Sequence, residues 1–90
     1  MSGSEILKLL EEIAKEYDCK IWISERIGKR WSCYGNLKAG EEQFLPAELV
    51  LESGRFGIFA ENFPWNRKEE LLPILSRILE GLHEEGDRKA

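Results

Sequence analysis

The sequence predicts an α+β domain of order α-β-β-β-β-α, a four-stranded antiparallel sheet with two terminal helices packed on one face. Three observations predict it. Apolar residues recur at three-to-four spacing near both ends of the chain. Between them lie four short runs of Ile, Leu and aromatic residues, separated by glycine-bearing turns. The length of 90 residues holds one core and no linker, so residues 1–90 are a single domain.

Residues 5–17 read as the first helix, with Ile6, Leu7, Leu10, Ile13, Ala14 and Tyr17 as its buried stripe. Ser2 with Glu5, or Ser4 alone, caps its start, and Asp18 ends it. Residues 19–25 and 30–36 read as strands of a hairpin around Ile27-Gly28-Lys29, followed by a loop over 37–43. Residues 44–52 and 55–61 form a second pair around Ser53-Gly54, with Pro46 making the start of that third strand edge-like or loop. Asn66, followed by Glu69, reads as the cap of a second helix running to about Glu84. Pro73 kinks that helix or marks its start, and the residues from Gly86 onward are expected to fray.

Side chains alternate across a strand, so parity sorts them. A two- or four-residue connection centred on Ile27-Gly28 groups Ile21 and Ile23 with Ser32 and Tyr34. Trp22 then shares the opposite face with Trp31 and Cys33, and a three-residue loop would swap the second set. In the second hairpin Ala47, Leu49, Leu51, Phe56, Ile58 and Ala60 form an apolar face. Glu48, Val50, Glu52, Arg55, Gly57 and Phe59 form a mixed one. Two helices cover the apolar face. The mixed face, with its aromatics, is left solvated, covered by the 37–43 loop, or closed by a ligand or partner. Trp22, Trp31, Arg55, Gly57 and Phe59 are the candidate binding residues. Gly57 is included because a mid-strand glycine marks a bulge or a close approach. The last helix is broadly apolar. Leu72 and Leu79, a heptad apart, contact the sheet and first helix or meet a partner helix in a homodimer.

Acidic residues outnumber basic ones by 17 to 13, a net charge of −4 that disfavours bulk binding to nucleic acid or anionic membrane. The charge is uneven. Residues 19–40 carry Lys20, Arg26, Lys29, Arg30 and Lys38 against Glu25, and residues 41–52 carry four Glu and no base. The basic hairpin with Trp22, Trp31 and Tyr34 offers a stacking surface for single-stranded nucleic acid, or simply a solvated tip that complements nearby glutamates. No apolar run approaches a membrane span and no secretory signal is visible, so a cytoplasmic protein with reduced thiols is expected.

Chemistry-bearing clusters are scarce. The lone His83 falls in the expected last turn of the final helix, where it complements the helix dipole. Cys19 and Cys33 show no metal spacing. In the hairpin register above, Cys33 faces Trp22, about 10 Å along the strand from Cys19 and too far for a disulfide. No catalytic residue, metal or cofactor is expected. The enzyme alternative rests on Glu48 or Glu52 as a proton carrier on the mixed face, which requires a desolvated carboxyl.

The stretch Glu48-Leu-Val-Leu-Glu-Ser-Gly-Arg-Phe-Gly-Ile-Phe-Ala-Glu61, with Phe63 and the helix from Glu69 to Leu82, resembles the closing strands and final helix of GAF/PAS-like sensory domains. The first helix running into Cys19-Lys-Ile-Trp-Ile23 is similar to that family's opening elements. The resemblance implies two terminal helices on one sheet face and a ligand on the other. The chain is shorter than typical members, lacking the segment that closes their pocket, and no cofactor-binding motif of the family stands in it. The function expected is a non-enzymatic regulatory or sensory module, binding a small ligand or protein partner on the open sheet face.

Overall fold

The computed structural model describes residues 2–89, with side chains described through Glu84. Its elements run α1 (Gly3–Tyr17), β1 (Lys20–Ile27), β2 (Arg30–Ala39), β3 (Glu48–Ser53), β4 (Phe56–Glu61), one 3-10 turn (Trp65–Arg67) and α2 (Lys68–Lys89). The architecture is the expected α+β one, a four-stranded antiparallel sheet with both helices on one face.

Ser2 caps α1 by accepting the Glu5 amide at 3.3 Å, satisfying one of the free donors of the first turn. Asp18 closes it in a left-handed conformation (φ 50°), and the Cys19 amide returns to the Ala14 carbonyl at 3.2 Å. Asn66 is not the cap of α2. It lies within the 3-10 turn, which leads directly into the helix. Pro73 sits inside α2 without ending it. The helix runs to Lys89 rather than stopping near Glu84, and the side chains from 85 onward, where fraying was expected, lie outside the described residues.

The strand order is β2-β1-β4-β3, so β1 and β4 form the centre and each hairpin supplies one edge. In the first hairpin Ile27 pairs with Arg30 across a two-residue Gly28-Lys29 turn. This register is shifted by two residues from the expected one: Cys33 faces Ser24, not Trp22, while every side chain keeps its expected face. Strand β2 runs on to Ala39, taking in residues expected as loop, and bulges opposite Ile23. Gly35, at φ 57°, supplies the left-handed residue of that bulge. Strand β3 begins at Glu48, not residue 44, consistent with Pro46 having no amide to donate to a ladder.

A second bulge, at Val50, reverses the expected faces of the residues before it, while Leu51 and Glu52 keep theirs. Leu49 pairs with Phe59 on the helix-free face, and Glu48 pairs with Ala60 on the helix side. The connector from Gly40 to Ala47 follows the strand ends. A Cβ on Gly40, whose φ is 95°, would collide with the Cys19 carbonyl and come 2.9 Å from the Lys20 Cα. This connector therefore runs against the α1–β1 junction.

Helix α1 lies over β2 and β1, and α2 over β3 and β4. Ile6, Leu10, Ile21, Ile23, Ile58, Leu75 and Ile78 are completely buried between them. Each such side chain contributes roughly 1.5–3 kcal/mol by leaving water, so this single layer carries most of the fold's stability.

Candidate functional site

The helix-free face is built on the two central strands. Alternation places Lys20, Trp22, Ser24 and Arg26 of β1 outward. Opposite them stand Glu61, Phe59 and Gly57 of β4, with Leu49 and Glu52 of β3 beyond. Trp31 reaches in from β2. Phe59 sits between the two indoles: Trp22 stacks on it with centroids 6.1 Å apart, and Trp31 meets it edge-on at 5.3 Å. All three rings are half-buried, and Leu49 beside them is 40% exposed.

Four of the five expected binding residues, Trp22, Trp31, Gly57 and Phe59, come together here. The close approach predicted at Gly57 is real, and the approaching group is the protein's own Trp31. A Cβ on Gly57 would lie 2.9 Å from the indole Cη2 and Cζ3 atoms. Trp31 thus fills the space over Gly57.

Arg55 does not join them. Its guanidinium reaches Glu25 at 3.4 Å and lies over Phe56, and both of those residues belong to the helix side. The cation on the aromatic face is Arg26, 4.7 Å from the Trp31 ring centre and 3.1 Å from the Glu52 carboxylate. Lys20 plays the corresponding part at the other end, 5.5 Å from Trp22 and 3.9 Å from Glu61. Both cations were legible from the same alternation that placed Trp22.

Neither candidate proton carrier is a buried acid. Glu52 is paired with Arg26 and exposed. Glu48 faces the helix side, where its exposed carboxylate accepts the Trp65 indole N–H at 2.8 Å. His83 does not sit in the last turn of α2, which continues to Lys89. Its Nε2 donates to the Ser53 carbonyl at 2.7 Å, and its ring covers Gly54 and meets Phe56 edge-on. A carbonyl only accepts, so Nε2 carries the proton. His83 is thus a strut between α2 and the β3–β4 turn.

Cys19 is buried and Cys33 exposed, both as free thiols. Burial, with the neighbouring Asp18 charge second, pushes the Cys19 thiol up to about 11. Among the described residues no three His, Cys, Asp or Glu side chains gather as a metal site. Leu79 is only 1% exposed and belongs to its own protomer's core, so it offers nothing to a partner helix, while Leu72 is half-buried against the same core. Two adjoining cavities of about 580 and 410 Å³ lie between α1 and the β2–β3 connector, sharing Glu11 and Gly40. Their walls carry charges of both signs and no aromatic ring.

Comparison with family models, curated proteins and solved structures finds no match.

A second apolar cluster went unseen in the sequence. Phe44 is 86% exposed, Leu45 46% and Trp65 43%, around a depression lined by Leu45, Pro46, Glu48, Asn62 and Phe63. The signal was present as two aromatic–proline connectors, Phe44-Leu45-Pro46 and Phe63-Pro64-Trp65. Reading the first as strand concealed that they meet.

Proposed function

We propose that the protein is a non-enzymatic regulatory module, GAF/PAS-like in plan, that binds a protein partner on its helix-free sheet face. The observation that carries this reading is the half-exposed row Trp22–Phe59–Trp31 with Leu49, left uncovered by either helix. Tryptophan and arginine are where binding energy concentrates, and Arg26 stands beside this row. The rings are held by one another and by two cations before any partner arrives, so little side-chain entropy remains to be lost on docking. Trp31 occupies the hollow over Gly57, which favours a broad surface contact over an enclosed small molecule. The same placement weighs against base stacking by Trp31, whose ring already has Arg26 above it.

The test is capture from the source cell's lysate by wild-type protein, Trp22→Ala and Leu49→Lys, alongside thermal melts of each. A partner held by wild type and lost by both variants, with melting temperatures nearly unchanged, supports the reading. Variants that retain the partner, or that merely unfold, would sink it.

A further inference from the structure

We propose, building on the sheet-face reading above, that the partner is a second copy of this chain, the two helix-free faces stacked about a two-fold axis that runs along the strands. The strand registers set that face out in rows. One row crosses all four strands. Lys38 of β2 pairs with Trp22 of β1, Trp22 with Phe59 of β4, and Phe59 with Leu49 of β3. Paired residues project to the same side of a sheet, so these four share the face. Lys38 and Leu49, at the two ends of the row, are exposed.

The charges of the face divide by strand. Among the described residues its bases, Lys20, Arg26 and Lys38, stand on β1 and β2, and its acids, Glu52 and Glu61, on β3 and β4. A two-fold axis along the strands exchanges these halves, so the basic half of each copy covers the acidic half of the other. Arg26 then meets the partner's Glu52, and Lys20 the partner's Glu61. An axis across the strands would instead bring Arg26 toward the partner's Lys20, a like-charge juxtaposition that opposes that arrangement. Arg26 and Glu52 decide the choice, because their side chains keep 49% and 46% of their exposure, whereas Glu61 keeps 10%. Within one copy they already pair at 3.1 Å. Stacking sets that pair against its inverse, four charges alternating in sign.

The same rotation turns the apolar row onto itself. Trp22 lies over the partner's Phe59, and the aliphatic stem of Lys38 over the partner's Leu49, a side chain otherwise 40% exposed. Sheets stacked in this way keep their strands within about 30° of each other, which an axis along the strands satisfies. Four strands ~4.8 Å apart, the shorter ones six residues long, offer a footprint of about 400 Å² per copy. The pair therefore falls short of the ~1,200 Å² of a stable interface, and the dimer is weak and reversible. Both copies use the same patch, so association closes at two. Its ionic component makes it salt-sensitive.

Sedimentation equilibrium of the full chain from about 10 µM to about 1 mM, a range that brackets weak affinities, tests it at low and high salt. The average mass should rise to twice the monomer, level off there, and fall back when salt is added. Trp22→Ala and Leu49→Lys should each stay monomeric, with circular dichroism showing them folded. The charges test the axis. Arg26→Glu alone sets glutamates against the partner's Glu52, and Glu52→Arg alone sets bases against the partner's Arg26. Each should weaken self-association about tenfold or more. Mixed, the two variants should form a one-to-one pair, because each supplies the sign the other lacks. A mass that climbs past the dimer, mixed variants that stay apart, or association that survives both Trp22→Ala and Leu49→Lys would each overturn the proposal. So would a wild type that stays monomeric. If that monomer still captures a different protein through Trp22 and Leu49, the sheet-face reading stands and only the second copy is excluded.

Discussion

Gly57 and Trp31 show how one missing Cβ shapes a surface. The indole lies where a Cβ would be, so Gly57→Ala must push the ring outward. Overfilled sites of this kind typically cost about 1–3 kcal/mol. The nearest atoms are the far end of a side chain, so the lower part of that range is expected, with Trp31 becoming more exposed. A red-shifted tryptophan emission, more readily quenched by iodide, is the check, and unchanged emission would contradict the placement. Cys19 offers a second residue-level test. Its thiol is pushed from 9.0 to about 11 in the folded protein, so the native state holds its proton more tightly than the unfolded chain. The corresponding stability is fully present below pH ~9 and drains away between about 9 and 11, by on the order of 2 kcal/mol. Denaturant titrations across that window should show a fall that Cys19→Ala removes. Native labelling should modify Cys33 and spare Cys19.

At the scale of elements, the two helices are tied to each other by side chains far apart in sequence. Tyr17, the last residue of α1, donates its hydroxyl to Glu70 at 3.0 Å, and Arg67 reaches the same carboxylate at 2.6 Å. The Arg67 hydrogen bond first, then that of Tyr17, holds the Glu70 carboxyl below its usual range. The tie is therefore present above the normal carboxylate pKa and is lost as pH falls through the lowered one. The Tyr17 phenol is raised in turn, chiefly by its hydrogen bond to Glu70. Glu70→Gln should bring the tyrosinate absorbance of Tyr17 to a lower pH, measured in a Tyr34→Phe background. An unmoved titration would mean that the α1–α2 junction is not joined this way. Further along α2, His83 ties that helix to the sheet by anchoring the β3–β4 turn.

The whole molecule has two faces of different worth. The helix-covered face holds Leu75 and its fully buried neighbours, where truncation leaves a cavity and Leu75→Ala should cost about 2–5 kcal/mol. The aromatic face is half-buried, so Trp22→Ala should affect partner capture far more than melting temperature. Equal losses of stability from the two substitutions would make the aromatic face a second core rather than a binding surface.

The order of elements, both helical stripes and the grouping of Trp22 with Trp31 and Phe59 were legible in the sequence. Each follows from local periodicity, and neighbours along the chain are enough to set it. What the chain alone left open was how separate segments meet. The Val50 bulge turned Leu49 out and Glu48 in, because a bulge is decided by the fit of two strands and not by the pattern of one. Arg55 went to Glu25 and Arg26 took the place beside Trp31, because a long flexible cation follows the nearest carboxylate in space. The strand order placed the basic and acidic edges on opposite sides of the sheet. The meeting of Phe44-Leu45-Pro46 with Phe63 and Trp65 likewise exists only once the sheet has closed. Periodicity is a property of the local chain. Register, bulges and the company a side chain keeps are properties of contacts between segments, and only the tertiary structure decides those.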